Sequence, residues 1–152
     1  MAEILLGSHV GMSGKEMFLG SVKEAVEYGA NVLMVYTGAP QNTRRKEIGE
    51  LRIDEGISYA EKAGIREIVI HAPYIINLGN MEKPEMFDFG VEFLAKEVKR
   101  AAAFHSKVLV LHPGSSLSAG VEASVEQIAK GLNLVLDADD SEVNIALETM
   151  AG

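Results

Sequence analysis

Three apolar runs in this chain each end in a residue that can ligate a metal. Ile68-Val69-Ile70 runs into His71, Val108-Leu109-Val110-Leu111 into His112, and Ile145-Ala146-Leu147 into Glu148. The three end residues stand 41 and 36 positions apart, about one strand–helix–strand step each. A short continuous apolar run is the pattern of a strand covered on both faces. A polar residue at the end of each such strand places all three at the carboxyl-end mouth of a parallel sheet or barrel, where α/β folds keep their sites.

The intervening sequence repeats one unit. Strands are expected at Ile4 to Leu6, Val32 to Val35, Glu67 to Ile70, Lys107 to Leu111 and Val143 to Leu147. Helices are expected at Lys15 to Tyr28 and Ile48 to Ala63, stopped by Gly29 and Gly64, then at Pro84 to about Phe104 and Val121 to Leu136. Residues 37–46, 71–83 and 115–120 read as loops from their Gly, Pro, Asn and Ser content, and Asp137 to Ser141 as an acidic turn. This alternation gives an α/β fold, four and a half units of a TIM (β/α)₈ barrel. Residues 1–152 form one piece with no internal boundary. A doubly wound sheet is the competing architecture. A half barrel exposes strand edges through which two copies can associate.

Composition narrows the chemistry. With 152 residues, 47% of them hydrophobic and 24% charged, the chain is long enough for one domain with a real core. It contains no run of eighteen apolar residues, so no membrane span is expected. Met1-Ala2-Glu3 leads directly into the first strand, without a basic stretch and apolar segment, so a cytoplasmic location is expected. There is no cysteine, which excludes disulfides and thiolate sites and leaves histidine and carboxylate as metal ligands. The net charge of −8 disfavours nucleic acid mildly, although Arg44-Arg45-Lys46 forms a basic cluster. No P-loop, GxGxxG or serine nucleophile elbow is present.

Two imidazoles and one carboxylate make a typical catalytic zinc set, with positions left open for water. Such an ion lowers the pKa of water to about 7 and furnishes hydroxide for attack. Manganese accepts similar N/O ligands. His9 follows the first strand in the same register; it either meets phosphate or the metal-bound water, or is a loop histidine without a role. His105 at the end of the third helix suits the helix dipole and is given no function. In the segment Tyr74 to Asn80, apolar and aromatic residues either wedge into a base stack or pack inward. Packing against the third helix is preferred for Ile76 and Leu78. The basic cluster either contacts phosphates or is solvated surface.

Five segments carry a resemblance. Gly7-Ser8-His9-Val10, Tyr36-Thr37-Gly38-Ala39-Pro40-Gln41-Asn42, His71-Ala72-Pro73-Tyr74-Ile75-Ile76-Asn77-Leu78-Gly79, Leu111-His112-Pro113-Gly114 and Leu147-Glu148-Thr149-Met150-Ala151-Gly152 resemble endonuclease IV, its bacterial branch most of all. That family comprises the zinc-dependent apurinic/apyrimidinic (AP) endonucleases of base-excision repair, (β/α)₈ barrels with three zinc ions at the mouth. The resemblance implies that His71 and His112 ligate one zinc. Glu148, ligand and catalytic residue together, bridges it to a second. Tyr74 and Ile75 match residues that push into DNA at the abasic site. His9 falls near the DNA backbone, and the loop Gln41 to Arg45, with Arg44 and Arg45, matches a DNA-contact loop.

Two departures stand out. Family chains continue for about three more strand–helix units bearing the remaining ligands, so this chain offers at most one well-ligated zinc site. Ser116 also replaces a common histidine, and Phe104-His105-Ser106 stands where Leu-Gly is usual. The resemblance therefore implies the N-terminal half of an enzyme that hydrolyses the phosphodiester 5′ to an abasic site in double-stranded DNA and leaves a 3′-hydroxyl. The half chain alone is expected to be inactive or nearly so. The alternatives are a metal-dependent sugar isomerase or epimerase of the related barrel class, and a non-catalytic half-barrel scaffold.

Overall fold

The computed structural model describes residues 4–149. The first three residues and the last three of the Leu147–Gly152 segment lie outside that range. Five strands alternate with four α-helices: β1 (Gly7–His9), α1 (Met17–Glu27), β2 (Val32–Tyr36), α2 (Ile53–Ala63), β3 (Glu67–His71), α3 (Pro84–Ala103), β4 (Val108–Leu111), α4 (Val121–Asp137) and β5 (Asn144–Leu147), with a 3₁₀ turn at Ile48–Glu50. All strand pairs are parallel and the sheet order is β1-β2-β3-β4-β5. Each strand therefore lies beside its sequence neighbours, with no reversal of order. A doubly wound sheet needs such a reversal, so the strand order selects the barrel. Parallel crossovers are almost always right-handed, which puts every helix on the same face of this sheet.

The strand faces differ from the expectation. Alternate residues Leu33, Val35, Ile70, Leu109 and Leu111 are buried in the core beneath the helices. Val32, Met34, Val69, Val108 and Val110 point the other way and are only partly covered. The apolar runs suggested cover on both faces, whereas the described residues cover one, because sequential order puts all four helices on the same side.

Two boundaries also differ. The first strand falls on Gly7–His9, not on Ile4 to Leu6. β2 begins at Val32, opposite Gly7, and Asn31 handles the residues before it. Its side-chain oxygen accepts from Leu6 N at 2.7 Å, its Nδ2 donates to Ile4 O at 3.0 Å, and its own N–H donates to Leu6 O at 3.0 Å. One amide side chain thus replaces a rung of the ladder. The expected helix from Ile48 is likewise broken, with Arg52 in the left-handed region at φ 52° between the 3₁₀ turn and α2. Leu51 and Ile53 are both buried. In a continuous helix, residues two apart face opposite sides, and the break lets both reach the core. Arg52 is held in the break by an ion pair with Glu55.

The end of α3 also strains its sequence. Ser106 N donates to Ala101 O at 3.1 Å and His105 N to Ala102 O at 2.9 Å, the two bonds of a Schellman stop. His105 holds the left-handed position at φ 55°, where glycine is the usual occupant. The expected result of His105→Gly is a stabilisation of about 1 kcal/mol, read as a rise of about 2–4 °C in the melting temperature.

Candidate metal centre

The ladder brings three strand ends to one place. His71 closes β3, opposite Val110 of β4. His112 lies two residues past Val110 and so shares its face. Leu111 pairs with Leu147, and Glu148 N extends the ladder by donating to Leu111 O at 2.9 Å, so Glu148 stands beside His112. Strands about 4.8 Å apart then hold the three side chains within mutual reach. Their ligand atoms lie within 4.8 Å of one another. His71 Nε2 is 3.0 Å and His112 Nε2 3.6 Å from the same oxygen, Glu148 Oε2.

Each ring sets one nitrogen beside a backbone carbonyl. His71 Nδ1 is 2.7 Å from Ala72 O and His112 Nδ1 is 3.4 Å from Glu148 O. A carbonyl only accepts, so the tautomer with its proton on Nδ1 suits both rings and would leave each Nε2, turned towards Glu148, as the ligand atom. Backbone carbonyls orient metal-bound histidines in the same way. Two imidazole nitrogens and a carboxylate oxygen thus converge. They are reconciled by shared protons or by a cation. Ligand atoms on a tetrahedral zinc with bonds of about 2.1 Å lie about 3.4 Å apart, close to the two distances seen to Oε2. The donor set fits a divalent metal.

Aromatic rings pack around this cluster. The Tyr36 ring sits 4.5 Å from His9 and 5.0 Å from His71, and His9 lies 6.2 Å from His71. His9 therefore faces the same mouth; burial lowers its pKa from the ordinary value, and the nearby His71 adds to the shift. Tyr36 Oη donates to Tyr74 Oη at 2.6 Å. Burial raises the Tyr36 pKa, reinforced by that bond and by the charge of Glu148. Tyr74 is exposed, its ring 6.0 Å from His112. Ile75 is partly buried against the core. Ile76 and Leu78 are buried, and a Cβ on Gly90 of α3 would meet Leu78 at 3.1 Å, so both do pack against that helix. Arg44 is exposed at the rim of a cavity of about 570 Å³ that also reaches Tyr36 and Val10. Arg45 does not stand free beside it: its Nε donates to the buried Glu97 at 2.6 Å.

Sequence reasoning passed over two residues here. Tyr36 ends β2 as His71 ends β3, directly opposite in register, and an aromatic residue closing an apolar run was the available signal. Asn77 Oδ1 accepts from Gly79 N at 3.1 Å and Ser115 N at 3.2 Å, and Leu78 N donates to Pro113 O at 3.0 Å. These bonds clamp the segment after His112 to the segment after His71.

A family model described as a xylose isomerase-like TIM barrel matches residues 22–152. The chain belongs to that family. A protein of Lachnoclostridium phytofermentans named "Probable endonuclease 4" is 60% identical over 147 residues, covering 97% of this chain and 49% of its own length. The chain thus spans about half the length of the curated relatives it matches. Among solved structures, endonuclease IV from Thermus thermophilus superposes with a TM-score of 0.77 at 27% identity, over 97% of this chain and 53% of that one. The resemblance to endonuclease IV read from the motifs is thereby shown. A D-tagatose 3-epimerase-like protein, with a TM-score of 0.62 at 21% identity over 97% of this chain and 54% of the other, shares the fold.

Proposed function

We propose that residues 1–152 supply the N-terminal half of a zinc-dependent AP endonuclease. This is a cytoplasmic DNA-repair hydrolase of the endonuclease IV kind, acting on the phosphodiester 5′ to an abasic site in double-stranded DNA. The observation that carries this reading is the convergence of two imidazole nitrogens and a carboxylate oxygen at the strand ends, a ligand set that suits a cation. His71, His112 and Glu148 would hold the ion. Bound there, zinc supplies Lewis-acid polarisation of the phosphate and a nucleophile available near neutral pH. The protein's part is orientation. The Ala72 and Glu148 carbonyls fix the two rings, and Glu148 presents a half-exposed carboxylate towards the substrate side.

The surroundings support DNA over a small polyol. Tyr74 presents an exposed ring beside the cluster, suited to a wedge at a base step, with Ile75 behind it. His9 faces the same mouth, and Arg44 offers a guanidinium on the rim. Arg45 serves less directly, since Glu97 already engages it. No helix among the described residues is long and apolar enough to cross a membrane. β1 and β5 end the sheet, and their outer edges are where copies of the isolated chain would associate, which light scattering measures.

The test is an anisotropy and incision experiment with the 152-residue chain, zinc and a labelled duplex containing one abasic analogue. Expected are tighter binding to the abasic duplex than to the intact duplex, and incision near background, because the described residues bring together one three-ligand group. Equal binding to both duplexes would overturn the abasic-site assignment, and binding to neither would overturn the DNA assignment. Incision at the rate of an intact endonuclease IV would overturn the ligand accounting.

A further inference from the structure

The basic segment between β2 and the 3₁₀ turn is closed by charged groups taken out of water. Arg100 of α3, itself buried, donates from Nη2 to Thr37 O and from Nη1 to Lys46 O, both at 3.0 Å. Those carbonyls stand at opposite ends of residues 37–46, so one guanidinium pinches the loop shut. Arg100 Nε donates to Thr37 Oγ1 at 3.0 Å, and that hydroxyl donates to Glu97 Oε2 at 2.7 Å. The other Glu97 oxygen takes Arg45 Nε. Arg45 fills the inside of the loop, its Nη1 donating to Ala39 O at 3.3 Å, Asn42 O at 3.1 Å and Arg44 O at 2.9 Å. A Cβ on Gly38 would stand 2.8 Å from Arg45, so the loop is wrapped tightly around that side chain.

Buried ion clusters seldom stabilise better than well-packed apolar groups, and their attested use is to select one conformation over others. Here the conformation selected is that of the loop. Its outcome is a division between two adjacent arginines: Arg45 is consumed by loop carbonyls and Glu97, whereas Arg44 projects to solvent. Asn42 Oδ1 accepts from Arg44 N at 2.9 Å and fixes the backbone from which Arg44 departs.

We propose that Glu97 and Arg100, through Thr37 and Arg45, are positioning residues that set the shape of segment 37–46 so that Arg44 stands ready as a phosphate contact at the mouth. This rests on the DNA reading above. A preset side chain loses less conformational freedom on binding, which converts loop order into affinity. Neither Glu97 nor Arg100 touches the substrate in this scheme.

The test pairs a readout without DNA with one that uses it. Amide exchange of residues 38–46 is measured in the 152-residue chain, in Thr37→Val, which removes the linking hydroxyl at constant volume, and in Glu97→Gln. Binding to the abasic duplex is then followed by anisotropy over a salt series. Expected for Thr37→Val is exchange of the loop about tenfold faster, with an affinity loss of about 3–10-fold. Arg44→Ala should give a similar affinity loss and a salt slope lower by about 0.9, with loop exchange unchanged. In the Arg44→Ala background, Thr37→Val should cost no further affinity.

Unchanged loop exchange in both network variants overturns the proposal. So does a loosened loop that binds DNA as before, or an equal loss from Thr37→Val in the Arg44→Ala background, which would mark general destabilisation. If wild type shows no affinity for DNA, the nuclease reading falls and takes the phosphate role with it. The exchange data would then still report whether the network shapes the loop. Should Glu97→Gln fail to fold, Thr37→Val carries the comparison.

Discussion

Zinc added to the metal-free chain is expected to raise its melting temperature by about 5–11 °C once free zinc exceeds its dissociation constant a hundredfold. A ligand at that excess stabilises the folded state by about 2.7 kcal/mol, and about 2–4 °C corresponds to each kcal/mol in a chain of this size. The size of the effect follows from geometry already in place. His71 and His112 have their Nδ1 positions tied to backbone carbonyls, so little ring freedom remains to be lost on coordination. His71→Ala, His112→Ala and Glu148→Ala should each remove most of the shift. Magnesium should give little of it, since two of the three donors are imidazoles and magnesium favours oxygen. Manganese should act more weakly than zinc. A full zinc shift in a His71→Ala/His112→Ala double variant would place the ion elsewhere and end the metal-centre reading.

The second large effect is expected at Gly114, just past His112. Its φ is 114°, and a Cβ there would lie 2.0 Å from Asn77 Oδ1. Gly114→Ala must therefore bear backbone strain of about 1–3 kcal/mol. It must also push aside the carbonyl that accepts from Gly79 N and Ser115 N, at about 1–3 kcal/mol more. A destabilisation of about 3 kcal/mol and a fall of about 6–12 °C in melting temperature are expected. Asn77→Ala alone should cost about 1–3 kcal/mol. The double variant should cost less than the two together, because truncating Asn77 relieves the collision. Strict additivity in that cycle would show that the clash is relaxed by backbone movement. Zinc affinity should fall in Gly114→Ala, since the clamp between the two loops sets where His112 sits.

Much of this was legible in the residues, for identifiable reasons. The apolar runs ending in His71, His112 and Glu148 announced both the strands and their shared mouth, because parallel pairing with short offsets leaves successive strand ends side by side. Helix positions followed from spacing and from stops such as Gly64. What escaped depends on single side chains acting as backbone. Asn31 bonds residues 4–6 in place of a strand, and nothing in Ile4-Leu5-Leu6 signals that. The break at Arg52 answers to two core demands, Leu51 and Ile53, set by neighbours far away in sequence. Arg44 and Arg45 look equivalent as letters; only Glu97, 52 positions past Arg45, distinguishes them. Even so, Glu97 falls on the same helix face as Leu94 and Ala101, and a carboxylate in a buried stripe was a sign of a partner to come.

The three proposed ligand side chains arrive on consecutive strands, and Glu148 stands just beyond β5, the last strand among the described residues. With an ion bound there, coordination and the seating of β5 would be one thermodynamic event. An ion held by His71, His112 and Glu148 would tie β5 to β3 and β4, and its release would loosen residues 145–148. The metal would then act as a latch on β5, and chelation should quicken solvent exchange at Ile145 to Glu148 well before the helices give way.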